Sequence, residues 1–561
     1  MNPSLLFHDP RLCFIVMLAA AVSMLTTLNV AARPAAVQTG RVALAFTISS
    51  LFFMVTRFAN LFYAPLLGRY VGLAVKLKGS GDPNAIGTLY AQIQWIVVGA
   101  SVGALGAWLL LPTFIRLYET GIGAMERYRS MLAVLLRLPR PSGLRALLAA
   151  FRPPSLLGVR LLRLEGVPAD FLLVNTLATA IWTVGFLCAI MASAINTEYQ
   201  QTALLLSGLV NAFAAIAFSV WVDPKAALIT DQAIHGERPE AHVRITAVHL
   251  SAGNFVGACL GLAVLWPGTR LILEAATSIG RGSNALSLSS VVLLNVLVTL
   301  LASTTVASRV SAVVTRRVAT ALAVYNLFFL VTRLATQVYS PFVASLADNV
   351  QRQHLPVEAL LPSFRWIVGG ASIGAAVAFL LLPTFVEIYN AAIRALDRLG
   401  SIPRLFLALI HPRTWAAVLR CVRFPGIFGV RLADLNQIPR AFIFGNLFVI
   451  SIYTIGVMAA IYAGARLNAG PPEEQELARA ATLLSSVVNG LATIMLSVIV
   501  DPTSALITDQ CVKGERPERH IYIMAVFLLA SMLLGTLLSQ AFFLPATWVI
   551  IEGARFLKMV F

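Results

Sequence analysis

Charge is scarce in this chain, and acid is scarcer than base. Of 561 residues only 12% are charged, with 25 Asp and Glu against 42 Lys and Arg. That dilution, with 58% hydrophobic residues and a mean hydropathy of +0.82, excludes a soluble domain of ordinary composition. Cysteine is also rare. Cys13, Cys188, Cys259, Cys421 and Cys511 form no Cys-x-x-Cys pair, and the seven histidines form no cluster at ligand spacing. Neither a disulfide framework nor a metal is therefore expected. No P-loop occurs, and no nucleophile is paired with a base, so direct use of ATP and enzymatic catalysis are not expected, and no cofactor is implied. The net charge of +17 has no soluble basic domain to carry it, which argues against a nucleic-acid partner.

What is present is apolar sequence in long runs. About twelve runs approach the ~20 residues that cross a bilayer as a helix. They lie near 13–32, 42–66, 92–118, 170–195, 202–222, 245–270, 286–308, 318–341, 365–389, 441–464, 480–500 and 521–550. The runs are continuous rather than alternating, which predicts helices and not a β-barrel. The first is read as a retained span, because a matching run opens the second half from within the chain.

The chain is written twice. "DPKAALITDQAIHGERPEAHV" (223–243) returns as "DPTSALITDQCVKGERPERHI" (501–521), identical at 14 of 21 positions. "LFFMVTRFANLFYAP" (51–65) returns as "LFFLVTRLATQVYSP" (327–341), "WIVVGASVGALGAWLLLPTF" (95–114) as "WIVGGASIGAAVAFLLLPTF" (366–385), and "GVRLLRLEGVPADF" (158–171) as "GVRLADLNQIPRAF" (429–442). The period is about 271 to 278 residues. The expected fold class is thus an all-α polytopic membrane protein, with six-span repeats at 1–280 and 281–561. An even number of spans inserts both repeats in the same sense, so a pseudo-twofold axis along the membrane normal is expected, a pseudo-dimer within one chain.

Base placement sets an orientation. With both termini outside, the cytoplasmic connections hold about 28 of the 42 basic residues, facing anionic membrane lipids. The two longest of these, 119–168 and 390–440, alternate short apolar stretches with Arg and Pro, and read as amphipathic helices lying on the inner leaflet, with Trp415 as an anchor.

Three sets of residues carry possible chemistry. Asp223 before Pro224 suits an N-cap and first-turn pair, with Asp231 two turns on, Gly236 stopping the short helix and Arg238 in the return. Asp501, Pro502, Asp509, Gly514 and Arg516 repeat the pattern. This is either a capped interfacial turn or a carboxylate pair for coupling or gating. The second set is Arg57 and its partner Arg333, deep within apolar runs that Pro65 and Pro341 are expected to end. An arginine at that depth faces a wet cavity or an internal partner, unless it snorkels. Two guanidinium forks at equal depth suit phosphate oxygens. Thr56, Asn60, Tyr63, Thr332, Thr336, Gln337 and Tyr339 extend a polar stripe beside them, by way of helix packing or of function. The third set is the span amides Asn175, Asn211, Asn446 and Asn489, while Gly99, Gly103, Gly370 and Gly374 have the spacing of helix packing.

The run "VQTGRVALAFTISSLFFMVTRFANLFYAPLLG" (37–68) with "DP…LITDQ…GERPE" resembles the alternate lipid II flippase family, Amj, across nearly the whole chain and twice over. The resemblance implies a tandem fusion of two family units in the bacterial cytoplasmic membrane. It implies translocation of lipid II, the undecaprenyl-diphosphate-linked peptidoglycan precursor, for cell-wall synthesis. On that reading Arg57 and Arg333 hold the diphosphate of this anionic polyprenyl lipid, with Asn60, Tyr63 and Tyr339 nearby, and Arg160 and Arg431 gather the headgroup at entry. An ion-coupled transporter of a small soluble anion is the alternative, and a membrane scaffold is a third.

Overall fold

The computed structural model describes residues 9–128, 140–159, 167–234, 236–282, 288–399, 411–496, 500–512 and 514–560. Within the described helices the side chains of Arg57, Asn60, Asp231, Arg333, Asp501 and Asp509 lie outside the described residues, as does Arg160 altogether.

Among the described residues every regular element is a helix. The first series is α1 Pro10–Leu28, α2 Ala32–Thr39, α3 Val42–Gly79, α4 Ala85–Leu109, α5 Leu111–Tyr128, α6 Pro141–Ala149, α7 Ala169–Ile195, α8 Gln200–Ala217, α9 Asp223–Ile234 and α10 Glu240–Gly282. The second repeats the order: α11 Leu288–Thr304, α12 Ala307–Thr315, α13 Val318–Arg352, α14 Leu360–Leu380, α15 Leu382–Leu399, α16 Pro412–Leu419 and α17 Arg440–Asn468. It continues through α18 Pro472–Gln475, α19 Ala478–Leu483, α20 Ser485–Met495, α21 Asp501–Val512 and α22 Arg519–Val560. Nine helical stretches among the described residues are long and apolar enough to cross a membrane, in keeping with a polytopic membrane protein.

Several helix limits depart from expectation, two of them at prolines. The run 92–118 is broken at Leu110 and the run 365–389 at Leu381, whose ψ angles of 9° and 14° leave the helical range. Pro112 and Pro383 follow two residues later, and each lacks the N–H that would continue the ladder. Pro65 and Pro341, by contrast, do not end their helices. Both sit inside, and α3 and α13 run on to Gly79 and Arg352. The first span opens as α1 and passes through a 3-10 turn, Asn29–Ala31, into α2. The run 480–500 divides at Leu484, between α19 and α20.

The chain falls into two compact units, one of residues 1–196 and 207–274, the other of 197–206 and 275–560. In the first, α1 packs on α4 so closely that a Cβ at Gly103 would strike the carbonyl of Ala20. Asn175 of α7 donates to the Leu250 carbonyl (3.1 Å) and to Asn254 Oδ1 (2.9 Å) of α10. In the second, α11 packs on α14, where Gly374 meets the Val296 carbonyl, and Asn446 of α17 donates to the Leu528 carbonyl (3.3 Å) and Ser531 Oγ (2.8 Å) of α22. Asn175, Asn446 and the paired glycines are therefore packing residues.

Candidate functional site

α3 carries Arg57 fifteen residues from Val42 and twenty-two from Gly79, about 22 and 33 Å of helix rise. Arg333 is fifteen residues from Val318 and nineteen from Arg352. Continuation of both helices past their prolines therefore puts the arginines farther from the second end than the sequence suggests.

Six residues beyond each arginine stands a tyrosine that locates the stripe against its neighbour. The ring of Tyr63, half-buried, meets Phe186 of α7 with centroids 6.2 Å apart. Tyr339, buried, donates to the sulfur of Met458 on α17 at 4.0 Å. Next to these contacts lies one glycine per unit. A Cβ at Gly185 of α7 would strike Asn211 Oδ1 of α8, and one at Gly456 of α17 would strike Asn489 Oδ1 of α20. Each asparagine is thus wedged against a bare helix backbone at mid-span. Both oxygens are buried and accept no hydrogen bond from a described residue. An unpaired buried acceptor costs about 1–3 kcal/mol. Two such acceptors stand at matching places in the two repeats.

Around each asparagine the supporting groups differ. In the first unit Trp182 Nε1 donates to the Asn211 carbonyl (3.2 Å) and its ring packs on Phe218 at 5.2 Å. In the second, Tyr453 and Thr493 share a hydrogen bond, and Thr493 Oγ1 donates to the Asn489 carbonyl at 2.8 Å. The hydroxyls of Thr332 and Thr336 donate to carbonyls one turn back, so this part of the stripe serves its own helix.

The duplicated polar motif lies one short stretch beyond. Asp223 is not an N-cap as expected: its φ and ψ are −58° and −45°, and its N–H donates to the Phe218 carbonyl five residues back. The helix passes through a π-helical stretch, Phe218–Val222, into α9 without a break, which lets Pro224 enter without an N–H of its own. The Asp223 carboxylate instead accepts from Arg33 of α2 at 3.1 Å. Gly236 and Gly514 stop their helices at φ of +73° and +77°. There the N–H groups of Glu237 and Arg238 both donate to the Gln232 carbonyl at 2.8 and 3.1 Å, and those of Glu515 and Arg516 to Gln510 at the same distances. Both arginines are half-buried. The two copies thus share these glycine stops and the same pair of backbone hydrogen bonds.

Beyond Gly429, Arg431 is exposed, and its N–H donates to Asp434 Oδ2 at 2.9 Å. Arg519 donates to the same oxygen at 3.2 Å. These donors hold the Asp434 carboxyl below its usual range, the Arg431 N–H first among them. Sequence reasoning missed Asp434, whose counterpart in the first repeat is Arg163.

The family model described as Amj, Alternate to MurJ, matches residues 18–276 and again residues 294–553. The chain belongs to the Amj family. Over 245 residues, 44% of the chain, it is 30% identical to the lipid II flippase Amj of Bacillus subtilis (strain 168), covering 88% of that protein. No solved structure matches it significantly. Two matches of the family model in one chain accord with a tandem fusion of two family units.

Proposed function

We propose that this protein translocates lipid II across the bacterial cytoplasmic membrane. The observation that carries the reading is the 30% identity to a lipid II flippase over 88% of that relative's length. The duplicated mid-span site supports it in chemical terms. A diphosphate headgroup needs cations and amide dipoles inside the bilayer, while a polyprenyl tail needs none.

In this reading the chain is a pseudo-dimer of two parallel six-span repeats, 1–280 and 281–561, twelve spans in all, with both termini outside and the Arg-rich segments 119–168 and 390–440 on the cytoplasmic leaflet. Arg57 and Arg333 bind the diphosphate, and Asn60, Tyr63 and Tyr339 line the same stripe. Asn211 and Asn489 join them, each bringing an oxygen that accepts from sugar or amide N–H and O–H groups. Arg160 and Arg431 collect the headgroup at entry. The turns bearing Asp223, Asp231, Arg238, Asp501, Asp509 and Arg516 flex or couple the movement.

Purified protein in liposomes with fluorescent lipid II tests this directly. Wild type exposes inner-leaflet lipid to an external quencher, and the Arg57→Ala, Arg333→Ala double variant does not. Wild-type liposomes that move lipid II no faster than empty ones refute the proposal.

A further inference from the structure

One cavity of about 630 Å³ lies in the second unit, at the end of α13 and α17 remote from the Arg-rich segments. Its wall joins the Thr197–Glu198 turn, the last turn of α13 and its exit at His354, and the end of α17 at Asn468. That volume suits a small molecule or a short stretch of peptide.

The first repeat's turn is held there by the second repeat's helix. Asp348, fully buried, accepts the N–H of Gln201 at 3.0 Å on one oxygen and that of Thr202 at 2.8 Å on the other. One turn on, Arg352 donates from Nε to Glu198 at 2.7 Å, lies 5.0 Å above the Tyr199 ring, and reaches Asn349 Oδ1 at 3.2 Å. The rim is therefore fixed, and its ion pair reaches the surface: the Glu198 side chain is 52% exposed and that of Arg352 24%.

The charges at this mouth choose the ligand. A simple anion would meet Glu198, and a simple cation would meet Arg352 and stand beside His354. A molecule bearing an ammonium and a carboxylate can join this ion pair in an alternating ring of charges, the ammonium against Glu198 and the carboxylate against Arg352. Gln351, Asn468 and Thr197 add amide and hydroxyl groups suited to peptide bonds. We infer that this cavity binds a short dipolar peptide, namely the peptide portion of the lipid-linked cargo after it reaches the outer face. The inference rests on the lipid II reading for the source of the peptide, and on Glu198 and Arg352 alone for its chemistry.

The test is calorimetric titration of the full chain in lipid nanodiscs with the tripeptide L-Lys-D-Ala-D-Ala, and with the same peptide acetylated on its amines and amidated at its carboxyl end. The free peptide should bind, and the blocked one should bind at least tenfold more weakly, about the loss of one charge-assisted contact. Glu198→Gln should weaken the free peptide about as much, with the unfolding midpoint lowered only by the small cost of a part-exposed ion pair. Asn468→Ala, which touches neither charge nor the Asp348 contacts, should weaken it less, and guards against an effect of misfolding. Equal binding of free and blocked peptides overturns the inference, as does wild-type affinity in Glu198→Gln. A second arm follows fluorescent lipid II in liposomes, with its peptide free or blocked. Faster release of the blocked lipid from the protein supports the assigned source, and equal rates overturn it. Liposomes that flip lipid II while peptide binding fails remove this site and leave the proposed function standing. Peptide binding without flipping does the reverse.

Discussion

The two mid-span sites are built to one plan with different parts, and the parts that differ are informative. In both, an asparagine is pressed against a glycine on the neighbouring long helix, and a tyrosine six residues past an arginine packs on that same helix. Around Asn211 the support is aromatic, from Trp182 and Phe218, whereas around Asn489 it is hydroxylic, from Tyr453 and Thr493. Duplication has kept the bare oxygen and let its scaffold drift. That pattern is expected if the oxygen is used, since a purely structural amide would be satisfied or replaced at the cost of an unpaired acceptor. The ends of the repeats teach the same lesson through ion pairs. The first ties α7 to α9 through Asp170 and Lys225 and α2 to α9 through Arg33 and Asp223, and the second ties its entry segment to α22 through Asp434 and Arg519.

The largest expected effect bears on whether the two repeats act as equals. Arg57→Ala and Arg333→Ala should each slow lipid II movement by about tenfold or more, the value of a charge-assisted phosphate contact. Flipping rates in liposomes check this, and a large loss from one variant with none from the other would break the equivalence. Next, Gly185→Ala and Gly456→Ala should each cost about 1–3 kcal/mol through overpacking, because the new methyl meets the Oδ1 of the asparagine and must displace it. Thermal unfolding measures it. A rise in the midpoint for either would show that the wedge is loose.

Asn211→Leu and Asn489→Leu sharpen the comparison further. Removing an unsatisfied acceptor should leave the unfolding midpoint unchanged or raise it, while flipping falls several-fold. A joint fall of midpoint and flipping would assign the asparagines to packing instead. A smaller effect concerns pH. Asp434 is held below its ordinary range in the folded protein, so its contribution is present above the usual carboxyl titration and disappears as pH falls through the depressed value. Protection against hydrogen exchange over 431–437, taken relative to the intrinsic rate at each pH, should therefore fall on acidification in the wild type and not in Asp434→Asn, with no matching change near residue 163. Smallest of all, Lys225→Ala breaks a part-exposed pair with Asp170 and should cost ~0.2–1 kcal/mol, declining in salt.

Much of this was legible in the chain. Apolar runs of bilayer length, the doubled order of motifs, and the Gly236 and Gly514 stops were read from spacing and residue type. The π-helical entry to Asp223 was not, because Asp before Pro is equally a capping signal. Nor were the helices that run through Pro65 and Pro341, since proline is a breaker in water and tolerated where neighbouring helices support the backbone.

The residue order by itself determined that the protein lives in a bilayer, that it consists of one unit written twice, and which residue types are present at depth. All of these are properties of local composition and period. Only tertiary structure decided that Asn175 and Asn446 are spent on helix contacts while the oxygens of Asn211 and Asn489 take no hydrogen bond from the described residues, and that Asp348 caps a helix from the other repeat. The reason is physical. A hydrogen bond is satisfied or left open by what another helix brings within about 3 Å, and that neighbour lies far away along the chain.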